Sequence, residues 1–142
     1  MVGRKHIKLA FCGNDCNHCP RFLATQNGDP SKLYGVARLW NRIGYREKVV
    51  SQEEIACHGC ASSDWCRYGI RQCVVEMGVS NCGECNEFPC RNILGAIEKT
   101  LTFEKRVREN CSLEEYKLLH KAFFLKRENL EQARRNWQEM DC

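Results

Sequence analysis

The chain has no run of about 18 apolar residues, so a membrane-spanning helix is excluded on length. Its opening residues, MVGRKHIKLAFCG, are basic but lack the apolar stretch of roughly 7 to 15 residues and the small-residue cleavage site that a secretory signal needs. A cytoplasmic location is therefore expected, where thiols stay reduced. Alternating apolar and polar residues are almost missing: a short strand at Ile7 to Phe11 is the single candidate. There is no Gly-rich phosphate loop, no Ser nucleophile elbow and no His-Glu metal helix, which removes familiar signatures of phosphoryl transfer, ester hydrolysis and zinc proteolysis.

Cysteine is what the chain has in excess. Twelve stand among 142 residues, about 8%, the level at which composition signals a disulfide or a metal scaffold. In a reducing compartment, closely spaced cysteines more often hold metal than one another. The length fits one domain. Ten of the twelve lie between Cys12 and Cys90. The expected organisation is a cysteine-rich metal-binding part, residues 1–102, and a C-terminal helical extension, residues 103–142, packed on it as one structural unit.

Charge is uneven along the chain. Residues 1–50 carry nine Lys or Arg against three acids, residues 51–102 four against seven, and residues 103–142 nine against eight. Two sites of four thiolates on one Zn²⁺ would cancel the formal net charge of +4, so nucleic-acid binding through bulk charge has weak support. The basic stretch RLWNRIGYREK reads as the solvated face of a helix.

Helix signals punctuate the chain. Pro20 opens a short helix that Asn27-Gly28 closes. Asp29 caps a second, with Pro30 in its first position and Leu33, Val36, Ala37, Trp40 and Ile43 on one face until Gly44. Ser51 and Glu54 form a capping box before CHGC. IRQCVVEMG gives two turns ended by Gly78, and Pro89 starts another helix with Ile93, Leu94, Ile97 and Leu101 inward. Ser112 and Glu115 form a further capping box. Beyond it Tyr116, Leu119, Phe123, Leu130, Ala133, Trp137 and Met140 recur at steps of three, four or seven, which reads as one long amphipathic helix interrupted on its seam by Lys126. That stripe packs on the protein's own helices or meets a protein partner or a second copy of the chain. The fold class expected is mostly α: a small, irregular, zinc-stapled domain of short helices with a long C-terminal helix.

The cysteines fall into three groups: Cys12, Cys16 and Cys19; then Cys57, Cys60, Cys66 and Cys73; then Cys82, Cys85 and Cys90. Each group contains two cysteines separated by two residues, a spacing that lets both sulfurs meet one ion with backbone N–H groups turned toward them. Cys57-His58-Gly59-Cys60 and Cys82-Gly83-Glu84-Cys85 are the best knuckles, because glycine eases the turn. Pairing them gives one site from Cys57, Cys60, Cys82 and Cys85; a second combines Cys12, Cys16 and Cys19 with Cys90, Cys66 or Cys73. About two Zn²⁺ per chain follow, with an iron–sulfur cluster as the alternative. His18 and His58, inside cysteine groups, read as solvated loop residues, and Cys111 and Cys142 as small buried apolar ones.

CGNDCNHCP, CHGC, IRQC and NCGECNEFPC, in this order, resemble an uncharacterised family of small cysteine-rich proteins of bacteria and archaea, regarded as zinc binders. The resemblance runs over about residues 9 to 98 and implies metal-ligand roles for Cys12, Cys16, Cys19, Cys57, Cys60, Cys66, Cys73, Cys82, Cys85 and Cys90. One departure is that the family pattern has a further cysteine before IR-x-C, where this chain has Arg67, Tyr68 and Gly69. The expected function is that of a zinc-binding protein with structural sites, an adaptor for protein or, with weaker support, nucleic acid. The alternative is a redox protein or enzyme using an iron–sulfur cluster or a reactive thiol.

Overall fold

The structure, a computed structural model, describes residues 9–58 and 69–140. It is mostly α, and among the described residues the one β pairing is an isolated antiparallel bridge between Leu9 and Asp15. The short strand expected at Ile7 to Phe11 therefore survives only as this bridge, Ile7 and Lys8 lying outside the described residues. Its neighbourhood folds back on itself instead: the Ala10 N–H donates to the Asn14 carbonyl at 2.8 Å and the Gly13 N–H to the Ala10 carbonyl at 2.9 Å.

The first helices follow their sequence signals closely. Helix α1 runs Pro20–Asn27 with Gly28 beyond its end, and α2 runs Pro30–Arg42 with the Asp29 carboxylate accepting from the Ser31 N–H. Helix α3 is the single turn Gln52–Ile55, capped by the Ser51 hydroxyl on the Glu54 N–H. Helix α4 spans Ile70–Met77 and ends at Gly78. Helix α5, Arg91–Thr102, begins after Cys90, so Pro89 stands outside it in a cis peptide with Phe88.

The long C-terminal helix is corrected. Residues from 103 onward form α6 (Glu104–Glu109), α7 (Leu113–Phe123, with the Ser112–Glu115 capping box) and α8 (Lys126–Met140). The break at Phe124 and Leu125 has a packing cause. Leu119, Ala122 and Phe124 are buried in one apolar cluster, whereas Leu130 is buried in another. One straight helix would aim its stripe at a single cluster; the bend serves both.

The first cluster gathers α1, α2, α3, α6 and α7 around Trp40, Ile43, Ile55, Val107 and Leu119. Trp40, Tyr45, Phe103 and Phe123 meet edge to face there, with Trp40–Tyr45 centroids 5.7 Å apart and Tyr45–Phe103 centroids 5.6 Å apart. Such contacts add to area burial through the ring quadrupoles. The second cluster joins Ile70 and Val74 of α4, Ile93, Ala96 and Ile97 of α5, Cys82, and Leu130 of α8. Cys12 packs against both.

Helix α8 closes over the two Cys-Gly steps. A Cβ on Gly83 would stand 2.4 Å from the Leu130 carbonyl oxygen, and one on Gly13 2.7 Å from both the Lys126 carbonyl oxygen and Leu130 Cγ. Gly13 has φ 93°, so glycine is required there for conformation as well as space. Polar contacts hold the approach. Asn129 Nδ2 donates to the Gly13 carbonyl at 2.9 Å, Arg134 Nη1 to the Cys85 carbonyl at 2.8 Å, and Lys126 Nζ to Asn14 Oδ1.

Gly83→Ala should therefore lower unfolding free energy by about 1–3 kcal/mol, because helix backbone must shift. Gly35→Ala, in an exposed turn of α2 with nothing within 4 Å, should raise it by roughly 0.5–1 kcal/mol. Urea denaturation of the two variants checks both signs.

Between α2 and α7, Arg42 forms a two-pronged pair with Glu115, at 3.2 and 3.1 Å. Arg42, together with the Ser112 backbone, holds the Glu115 carboxyl below its usual range. A depressed carboxylate contributes stability above its unfolded pKa and loses it as pH falls through the folded one. Glu115→Gln should thus cost under about 1 kcal/mol at pH 7, as for an exposed pair, and the gap to the parent should narrow below pH 4. Urea midpoints measured across that range test it.

Candidate functional site

Two turns of the chain share one construction. At the first, Asp15 caps the 3-10 turn Cys16–His18: its carboxylate accepts from the Asn17 N–H at 3.0 Å, and the Cys19 N–H closes on the Cys16 carbonyl. At the second, the Asn81 side chain accepts from the Gly83 N–H at 2.9 Å, and the Cys85 N–H closes on the Cys82 carbonyl across the 3-10 turn Cys82–Glu84. Asp15 and Asn81 are both buried. Each thus presents an Asp or Asn locking a Cys-x-x-Cys knuckle, a role the spacing argument missed. Its signal was legible, since short polar side chains turn the backbone two residues on.

The N-terminal knuckle leads directly into α1, where Cys19 is the residue before Pro20. The Phe22 and Arg21 backbone N–H groups donate to the Cys19 thiol, the N–H-to-sulfur pattern of a thiolate knuckle. Burial nonetheless pushes this thiol up to about 11. Cys57 adds to the rise through its own charge and Arg21 opposes it, so the three groups are neighbours. Two contacts bring Cys57 there. Its N–H donates to Thr25 Oγ1 at 2.9 Å, while the buried Arg21 guanidinium takes the carbonyls of Glu54, Ile55 and Ala56. Arg21 is a buried cation that donates to three carbonyls and stands beside Cys19 and Cys57, where a pair of thiolates would complement it. Cys16 lines the same cavity wall as Cys19 and Cys57.

The second knuckle gathers more sulfur. The Cys82 N–H donates to the Phe11 carbonyl at 2.9 Å, which sets Cys82 beside Cys12. Burial, then the charges of Cys90, Cys12, Cys85 and Cys73, push the Cys82 thiol up to about 12. Four thiols from three separate stretches of sequence therefore act on Cys82. Cys90 is the residue before α5, and Cys73 lies on the exposed side of α4.

These neighbourhoods differ from the expected pairing of knuckle with knuckle, of which Cys60 lies outside the described residues. Cys57 sits with Cys19 rather than with Cys82 and Cys85, because Thr25 and Arg21 bind its strand of loop to α1. Cys12, Cys16 and Cys19, expected together, line one cavity, and Cys12 also acts on Cys82 because it precedes the turn that meets it. Cys60 and Cys66 lie outside the described residues, as does Cys142. Cys111 is half-buried against the first cluster. His18 Nδ1 engages Asp15 at 2.7 Å, and His58 is exposed. None of the nine described cysteines is in a disulfide.

Among the described residues, no three His, Cys, Asp or Glu side chains converge closely enough to hold an ion. The donor chemistry still fits one. Buried Cys19 and Cys82 with further thiols nearby, and at Cys19 two N–H donors and the Arg21 cation, suit a thiophilic metal that displaces their protons.

A protein family matches residues 8–95, and its description is "protein of unknown function", DUF3795. The chain belongs to the DUF3795 family. Neither a curated protein nor a solved structure matches it. The DUF3795 stretch takes in both knuckles and the start of α5, and α8 lies beyond it. No helix among the described residues is long and apolar enough to cross a membrane.

Arg21→Met should cost about 1–3 kcal/mol in urea unfolding, since three carbonyls lose their donor. Arg21→Lys should recover less than half of this, a single ammonium being unable to span all three.

Proposed function

We propose that this DUF3795 protein is a zinc-binding protein whose thiolate sites are structural and whose role is binding, as an adaptor for a protein or nucleic-acid partner. What supports the reading is the neighbourhood of Cys82, where four other thiols raise its pKa further after burial has done so. Such a set is unfavourable as bare thiolates. A dication bound by them removes the repulsion and releases the protons. Cys12, Cys82, Cys85 and Cys90, with Cys73 at the margin, would hold one zinc; Cys19 and Cys57, with Cys16 on the same wall, would contribute to a second. A zinc held by four thiolates has no open position for water, so it staples structure and does not polarise a substrate.

Metal analysis of the reduced full-length protein should give about two zinc per chain and no visible absorption. A chelator strong enough to remove that zinc should lower helical circular dichroism, and Cys82→Ala should do so without a chelator, because binding energy here is folding energy. Brown, iron-containing protein, or unchanged helicity after complete metal removal, would contradict the proposal.

A further inference from the structure

Between the two apolar clusters lies a cavity of about 260 Å³ whose wall has an unusual charge balance. Among the described residues its lining includes Arg21, Arg46, Arg71, Lys99 and Lys126, and no Asp or Glu. Four thiols also face it, those of Cys12, Cys16, Cys19 and Cys57. The remaining wall is mainly apolar and aromatic, with Phe22, Trp40, Tyr45 and Phe103 among its rings.

Two of the cations stand ready for a ligand. Lys99 is exposed at the end of α5 with its ammonium 5.5 Å from the Phe103 ring centroid, and the half-buried Arg46 donates to the neighbouring Tyr45 carbonyl at 2.9 Å. Neither pairs with a carboxylate among the described residues. Two features thus meet in one space: apolar walls that gain by excluding water, and cations at its edge that can pair with an anion.

Size narrows the occupant. A dry cavity of roughly 150 Å³ takes benzene, so about 260 Å³ admits one ring and a short arm. We propose that this cavity binds a small organic carboxylate with a one-ring apolar body, the ring against Trp40 and Phe103 and the carboxylate toward Lys99 and Arg46. A planar carboxylate suits the guanidinium fork as well as the ammonium. It shares its wall with Cys12, Cys16, Cys19 and Cys57, the thiols proposed above as metal ligands.

The test is calorimetric titration of the reduced, full-length protein as purified with 3-phenylpropionate, in parallel with 3-phenylpropan-1-ol and with propionate. Saturable one-to-one binding of 3-phenylpropionate is expected, at least tenfold tighter than either truncated probe. Lys99→Met and Arg46→Met, which keep length and remove charge, should each weaken it about tenfold with helicity unchanged. Amide NMR shifts on binding should centre on Asn14, Thr100 and Phe103. Absence of saturable binding, equal affinity for the alcohol, equal affinity for propionate, or shifts centred elsewhere would overturn the proposal. Metal content read on the same sample keeps its failure distinct from failure of the zinc reading.

Discussion

The structure turns on the approach of the α8 backbone to Gly13 and Gly83. Each glycine follows a cysteine, and Leu130 sits against both. Side chains at either position would hold α8 away. With hydrogen at both, Leu130 is buried in the second cluster and the Phe11–Cys82 hydrogen bond forms beneath it. Chain segments some seventy residues apart are thereby fixed side by side, and Cys12 joins the thiols around Cys82. Asn129 and Arg134 satisfy carbonyls of the same two turns, so the contact is polar at its rim and apolar at its centre.

From this contact follows an electrostatic problem. Thiols buried near one another resist ionisation, and at neutral pH the Cys82 and Cys19 sulfurs keep their protons unless a cation enters. The fold answers it with partial measures: N–H donors at the start of α1, and the Arg21 guanidinium beside Cys19 and Cys57. A bound dication would complete them. In a chain this short, such a link also adds stability that two small apolar clusters supply sparingly.

Much of this was readable from residues. Asp29-Pro30, Ser51 and the Ser112–Glu115 box set helix starts through local hydrogen bonds, and Asn27-Gly28 and Gly78 set ends, so α1 to α4 and α7 follow from spacing. The family resemblance likewise rests on local motifs and is matched over nearly the same stretch. The break between α7 and α8 was not legible, because periodicity continues through Phe124 and only the presence of two clusters explains the bend. The neighbourhoods of the thiols were not legible for a related reason. Which cysteine meets which depends on Thr25, Arg21 and Leu130, residues with no thiol and no motif of their own. The Asp15 and Asn81 caps lay in plain sight, one position before each knuckle.

The central claim is that sulfur from separate stretches of chain meets on shared ions. X-ray absorption at the zinc edge of the reduced, full-length protein addresses it most directly. The account predicts a shell of about four sulfur neighbours near 2.3 Å per zinc. A shell dominated by nitrogen and oxygen, or protein that retains no zinc while fully folded, would contradict it.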